Sequence, residues 1–285
     1  DPAACVRIYD ATDIDTANYS AAPFAIRAIL TITGMSANMN IDVSETGVPA
    51  SYYVLRWNKQ GNIPNVQIDY SYDPLIGGNL SGTIIPIEPT ANGIVPNNQT
   101  ACSGSDPNKG CHLWPVPDID DDKDTNLHIR IMDPSDSGGY VISPAFNIIP
   151  KLTVTSPIGN ANPALTEKWL VGTTYNITWT STSSQVKTPN VKISYSLNGG
   201  GSYLPADVVA TTANDGSYTW FVPATGGVPD KITPQGRIKI EDNSDNVAFD
   251  ESDHDFKVIS DIQVTAPNAT AVYEVADTIN ITWTV

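Results

Sequence analysis

The sequence predicts an all-β chain, a tandem series of immunoglobulin- or fibronectin-III-like antiparallel β-sandwiches. Three observations predict it: a motif repeated at a fixed offset, period-two alternation between the copies, and turn sequences separating the alternating segments. The motif is clearest at Arg237-Ile-Lys-Ile-Glu-Asp242. Asp10, Asp133 and Asp242 each follow an alternating apolar pair (Val6/Ile8, Ile129/Ile131, Ile238/Ile240). Each is followed at position +10 by a serine (Ser20, Ser143, Ser252), then by Phe24/Ile26, Phe146/Ile148 or Phe256/Val258. An offset kept three times in one chain marks a repeat, and repeats decide the architecture before any single motif.

The opening strand of each copy is Leu30-Thr-Ile-Thr33, Leu152-Thr-Val-Thr155 or Ile262-Gln-Val-Thr265. Next come Tyr53-Val-Leu-Arg-Trp57, Tyr175-Asn-Ile-Thr-Trp179 and Ile279-Asn-Ile-Thr-Trp283, then Val66-Gln-Ile-Asp-Tyr-Ser71 and Val191-Lys-Ile-Ser-Tyr-Ser196. Cys111-His-Leu-Trp-Pro-Val-Pro117 matches Ser217-Tyr-Thr-Trp-Phe-Val-Pro223 and leads into the anchor. Ile177 and Trp179 share one face, as do Val191, Ile193 and Tyr195; such alternation places one face on a core and the other in water. Asn198-Gly-Gly-Gly201 and Asn214-Asp-Gly216 supply turns in which positive φ costs little. Several short strands with such turns and no helical period indicate a two-sheet sandwich. The Ala-rich run 21–28 contains Pro23 and, by its place in the repeat, is expected to be a strand.

Four segments follow. Residues 1–27 hold only the last strands of one repeat, 28–149 form a complete unit with inserted loops, and 150–259 form a second. Residues 260–285 hold only the first strands of a further repeat. Two strands cannot bury a core, so the chain reads as a piece of a longer array. The junctions Ile149-Pro150-Lys151 and Ile259-Ser260-Asp261 leave almost no free linker, which restricts motion between neighbours.

The net charge of −16, from 15 Lys plus Arg against 31 Asp plus Glu, argues against nucleic acid or an anionic membrane as partner. No stretch approaches the roughly 20 apolar residues of a membrane span. Six sequons, at Asn18, Asn79, Asn98, Asn176, Asn268 and Asn280, are either N-glycosylation acceptors or a by-product of an Asn- and Thr-rich composition; Asn176 and Asn280 belong to the repeat's own strand. Cys102 and Cys111 flank a polar turn, and a local disulfide pinning the inserted loop to the Trp114 strand is preferred to two free thiols. It would stabilise by about 2–3 kcal/mol in the chain-entropy view. Cys5 has no evident partner.

The pattern of opening strand, Trp169-Leu-Val-Gly172, Asn-Ile-Thr-Trp, Val-Lys-Ile-Ser-Tyr-Ser, Asn-Asp-Gly-Ser-Tyr, Arg-Ile-Lys-Ile-Glu-Asp and Ser-Asp-His-Asp-Phe resembles the Kre/Knh-type N-terminal domain of Ser/Thr-rich cell-wall proteins. Similar sequences recur in tandem in large prokaryotic surface proteins. The match is full over 150–259 and interrupted by insertions at 40–50 and 86–110. The resemblance implies a fold and a place at the cell surface or wall; it implies no catalytic residue.

The chemistry is sparse. His112, His128 and His254 lie on or beside framework strands, and neither G-x-S-x-G nor H-E-x-x-H occurs, so no enzyme is expected. Asp118, Asp120, Asp122, Asp124 and Asn126 place side-chain oxygens at alternate positions, as a Ca²⁺ loop would; a solvated acidic loop is the competing reading. The corresponding loop of the second unit, 224–235, has one acid. A second, weaker cluster is Asp242/Asp245 with Asp250/Asp253/Asp255, but Asp10, Asp133 and Asp242 are better read as acceptors of turn N–H groups. Trp57, Trp179, Trp283, Trp114 and Trp220 read as core by parity, leaving Trp169 and Tyr203 as loop aromatics, too few for a sugar platform. The expected function is a non-enzymatic extracellular structural array, part of a surface layer, sheath, filament or stalk. Its partners would be copies of itself, other cell-surface proteins or glycans. The competing expectation is an adhesin or carbohydrate-binding segment of a larger secreted enzyme.

Overall fold

A computed structural model describes residues 3–119, 125–183, 187–203, 208–223, 231–244 and 246–284. The chain divides into two compact units, residues 1–149 and 150–285. In the first, β1 (Arg7–Tyr9) and β2 (Ala17–Tyr19) form an antiparallel hairpin. β3 (Ile29–Thr33), β5 (Tyr53–Gln60) and β9 (Lys109–Trp114) form one antiparallel sheet. The facing sheet carries β6 (Asn65–Ser71), β10 (His128–Asp133) and β11 (Asp136–Ile142), with short β7 (Ile85–Pro86) and β8 (Ile94–Pro96) against β6. β4 (Met39–Asp42) runs parallel to β12 (Phe146–Ile149), which is bridged to Leu127 just before β10.

The second unit repeats this order. β13 (Leu152–Ser156), β15 (Thr174–Ser181) and β18 (Ser217–Phe221) form the three-stranded sheet. β14 (Lys168–Leu170), β21 (Phe256–Ile259), β19 (Thr233–Asp242), β16 (Asn190–Ser196) and β17 (Val209–Ala213) form the other in that spatial order, with β20 (Phe249–Glu251) also on β19. β22 (Gln263–Ala266) and β23 (Thr282–Thr284) close the chain as a hairpin. First, second and fifth strands on one sheet, with the third, sixth and seventh on the other, is the immunoglobulin and fibronectin-III arrangement. The fold class predicted from alternation is the one observed.

The cores are made of the residues the alternation selects. Leu55, Trp57, Val66, Ile68, Ile129, Ile131 and Phe146 are buried in the first unit, and Ile177, Trp179, Val191, Ile193, Tyr195, Ile238, Ile240 and Phe256 in the second. Trp169 corrects the loop assignment: it lies in β14 and is buried. Its ring stacks on Tyr175 at 4.6 Å and lies 5.0 Å from Phe256. The Ala-rich run also departs from expectation. It forms a single bridge, Ala4 to Phe24, and no strand, Pro23 having no N–H to contribute to a ladder. Trp283 shares the inward parity yet is 60% exposed, as are Val6, Ile8, Ile262 and Val264 to similar degrees; among the described residues each hairpin pairs only within itself.

The three copies of the motif share one hydrogen-bond device. The Asp Oδ1 accepts both the backbone N–H and the hydroxyl of residue +2: Thr12 on Asp10, Ser135 on Asp133 and Ser244 on Asp242. This is an Asx turn closing the strand. The serine at +10 then binds the residue fourteen earlier twice. Its N–H donates to that residue's carbonyl, and its Oγ accepts that residue's N–H: Ser20 with Val6 (3.3 Å to Oγ), Ser143 with Ile129 (2.9 Å) and Ser252 with Ile238 (3.1 Å). The fixed offset is thus the length of a hairpin latched by a side chain. Ser252→Ala should leave a buried N–H without its acceptor and cost about 1–3 kcal/mol, read as a shifted urea midpoint. Ser20→Ala, on an exposed hairpin, should cost little. Equal small shifts would contradict the latch.

Candidate functional site

Side chains predicted to carry chemistry divide into those that hold the fold and those placed elsewhere. Asp242 is committed to its Asx turn, and Asp250 Oδ2 accepts the Val154 N–H at 2.7 Å. Asp255 Oδ1 accepts the Arg237 Nε–H at 2.7 Å. Three members of the second acidic cluster therefore have structural partners, while Asp253 is exposed and Asp245 lies outside the described residues. Of the residues expected to hold Ca²⁺, Asp118 is half-buried after Val116, and Asn126 is exposed with φ 58° just before β10. Asp120, Asp122 and Asp124 lie outside the described residues. Among the described residues no three His, Cys, Asp or Glu side chains are grouped to hold a metal ion, and no helix is long and apolar enough to cross a membrane. All six sequon asparagines are exposed. Asn98 and Asn268 accept the N–H of the sequon threonine two residues on, and Asn176 accepts the Thr219 hydroxyl. Cys102 and Cys111 are joined, with Cα atoms 6.4 Å apart, and Cys5 is free and exposed.

Groups with shifted protonation are scattered. Burial pushes the Glu167 carboxyl up, and burial pushes the His112 imidazole down against the opposing pull of Glu88, 3.2 Å away. Burial and the neighbouring Glu251 carboxylate raise the Tyr203 phenol. None of these pairs with another as an acid–base couple. Glu241 is different: burial raises it, but hydrogen bonds from Lys239 (2.9 Å) and Lys192 (3.1 Å) outweigh that and hold its carboxyl below the ordinary 4.5. A depressed carboxylate stabilises the fold above its unfolded value, and that stability is lost as pH falls through the folded one. Unfolding free energy should therefore fall as pH drops below about 4.5, and Glu241→Gln should flatten that limb; parallel pH profiles would contradict it.

Sequence reasoning missed a paired clamp. Trp57 Nε1 donates to Asn97 Oδ1 and Trp179 Nε1 to Asn214 Oδ1, both at 2.8 Å. Each Asn amide then donates to a carbonyl, Ile63 or Thr188. A buried indole N–H needs such a partner. Asn214 was legible only as a turn residue, since its partner lies 35 residues away. Also missed was a cavity of about 470 Å³ in the second unit, lined by Arg237, His254, Asp255, Lys257, Gln235 and Asn160 among others. Among the described residues no row of exposed aromatics marks either sandwich: Phe221 and Phe249 are exposed on different sheets.

No protein-family model and no characterised protein matches this chain. Among solved structures it is similar to the fibronectin(III)-like modules of Clostridium thermocellum CbhA, with 14% identity, 81% of this chain and 94% of that one covered, and a TM-score of 0.21. It is also similar to Rst D1-D2 (9% identity, 82% and 100% covered, TM-score 0.25) and to a marsupial T cell receptor (11%, 88% and 78%, TM-score 0.33). At such TM-scores the assignment to the immunoglobulin and fibronectin-III class rests on the strand order itself.

Proposed function

We propose that the chain is a non-enzymatic segment of an extracellular structural array at the cell surface or wall, built of Kre/Knh-like repeats and assembling with copies of itself or with other surface proteins. The observation that carries this reading is the threefold recurrence of the Asx turn and serine latch. What the copies preserve is the means of holding a sandwich, and the charged groups with shifted protonation differ between them. Exposed sequons, the joined Cys102–Cys111 pair and the acidic composition suit an oxidising, glycan-modifying exterior. Antibodies raised to residues 28–259 should label intact source cells; labelling only after permeabilisation would contradict the reading.

Calcium belongs to the same proposal. If Asp118, Asp120, Asp122, Asp124 and Asn126 hold a Ca²⁺ ion, clustered carboxylates need it to offset their repulsion. Chelation should then lower the melting temperature, and an Asp120→Ala/Asp122→Ala variant should be indifferent to chelator. Identical melting of the parent chain with and without chelator removes calcium from the account.

A further inference from the structure

We propose that the cavity of the second unit is a binding site for a uronic-acid sugar, a ligand that presents one carboxylate beside hydroxyl groups. The cavity holds about 470 Å³, within the range of small-ligand sites. The chain carries 31 acidic against 15 basic side chains, yet this concavity gathers Arg237, Lys257 and His254 against the single acid Asp255. Among the lining side chains positive charge therefore outweighs negative, the reverse of the chain as a whole, which favours an anion there.

The donors are only partly used. Arg237 spends Nε on Asp255 and Nη1 on the Ser252 carbonyl, leaving Nη2 without a partner among the described residues. Lys257 Nζ donates to the Pro163 carbonyl at 2.8 Å, holding the loop before β14 against β21. The His254 ring and the Gln235 side-chain amide take no hydrogen-bond partner among the described residues. Arg237 is fixed in direction by Asp255, so its remaining edge is pre-oriented for a carboxylate. The second oxygen of Asp255, the Gln235 amide and the Asn160 Nδ2 group suit hydroxyls, Asn160 Oδ1 already accepting the Asn162 N–H. That acceptor is what favours a hydroxylated acid over an all-carboxylate peptide, which Asp255 would repel.

The set is particular to this unit, so it is not a requirement of the fold. By register with the motif, Arg237 corresponds to His128, whose Nδ1 is occupied by the Ser143 carbonyl, and Lys257 corresponds to Asn147, bonded to Asn40. The stretch Asp253-His254-Asp255 is Pro144-Ala145 in the first unit. The inference stands independently of the array reading.

Saturation-transfer NMR on the whole chain tests it, with tri-galacturonate as probe, tri-galactose as the neutral control and a peptide of residues 117–126 as the acidic-peptide control. Tri-galacturonate should bind and tri-galactose should not. Affinity should fall about tenfold or more in Gln235→Ala/His254→Gln, as expected when two side-chain hydrogen bonds to the sugar are lost. Both side chains are exposed, so the variant's melting temperature should be unchanged; Arg237→Lys provides a second, stronger test at the carboxylate. Equal binding of the neutral sugar, equal binding by both variants and the parent, or binding of the peptide in place of the uronate would each overturn the assignment.

Discussion

Trp179→Ala is expected to destabilise the second unit by about 3–5 kcal/mol. The indole is 3% exposed and sits among Leu152, Val154, Ile177 and Trp220 in the core cluster. Its removal would leave a cavity and strip Asn214 of its donor, so a packing loss and an unmet polar group add. Trp179→Phe separates them: it keeps most of the volume and loses the hydrogen bond, and should cost visibly less. Chemical unfolding followed by far-ultraviolet circular dichroism measures both. Trp283→Ala, at a largely exposed position, should change the midpoint by about 0.5 kcal/mol or less. Similar losses at Trp179 and Trp283 would mean that the strand register is wrong.

The second large effect is expected in the first unit at Gly110. It lies opposite Trp57 in the β5–β9 pair, and a Cβ added there would sit 2.2 Å from the indole Cε2. Gly110→Ala must push Trp57 from a site where it is 1% exposed and tied to Asn97. Overpacking of that kind costs about 1–3 kcal/mol and sometimes more. Gly139→Ala, whose new atom would meet nothing closer than 3.4 Å, is the control and should be nearly silent. A Gly110→Ala protein as stable as the control would show that the indole does not lie on this glycine.

Both predictions concern residues whose positions could be read from the sequence but whose partners could not. Alternation identified Trp57, Trp179, Ile193 and Ile238 as inward because a strand's two faces differ at every second residue. The serine at +10 was visible as a spacing; its role needed the hairpin that brings Ser252 to Ile238. Trp169 was misplaced because β14 has three residues, too few for a period to emerge, and follows a loop rich in Asn and Pro. The Asn97 and Asn214 clamps join residues 40 and 35 apart, and local pattern carries no trace of such pairs. The cavity draws on three separated segments, around Asn160, Gln235 and His254. Its one sequence signal was a difference between copies: Arg237 and Lys257 are His128 and Asn147 in the first unit, and the stretch holding His254 is one residue shorter there. In a repeat, positions that all copies keep describe the fold, and positions that one copy changes point to function.

The same distinction bears on the structural reading. The latches, the indole clamps and the parallel β4–β12 and β14–β21 pairs are fold devices present in both compact units. A low-resolution electron micrograph of the native assembly tests this central claim most directly. Periodic packing of these domains in a layer, sheath or fibre is the result predicted; isolated chains, each tethered singly to a glycan or to a catalytic domain with no lateral order, would contradict it.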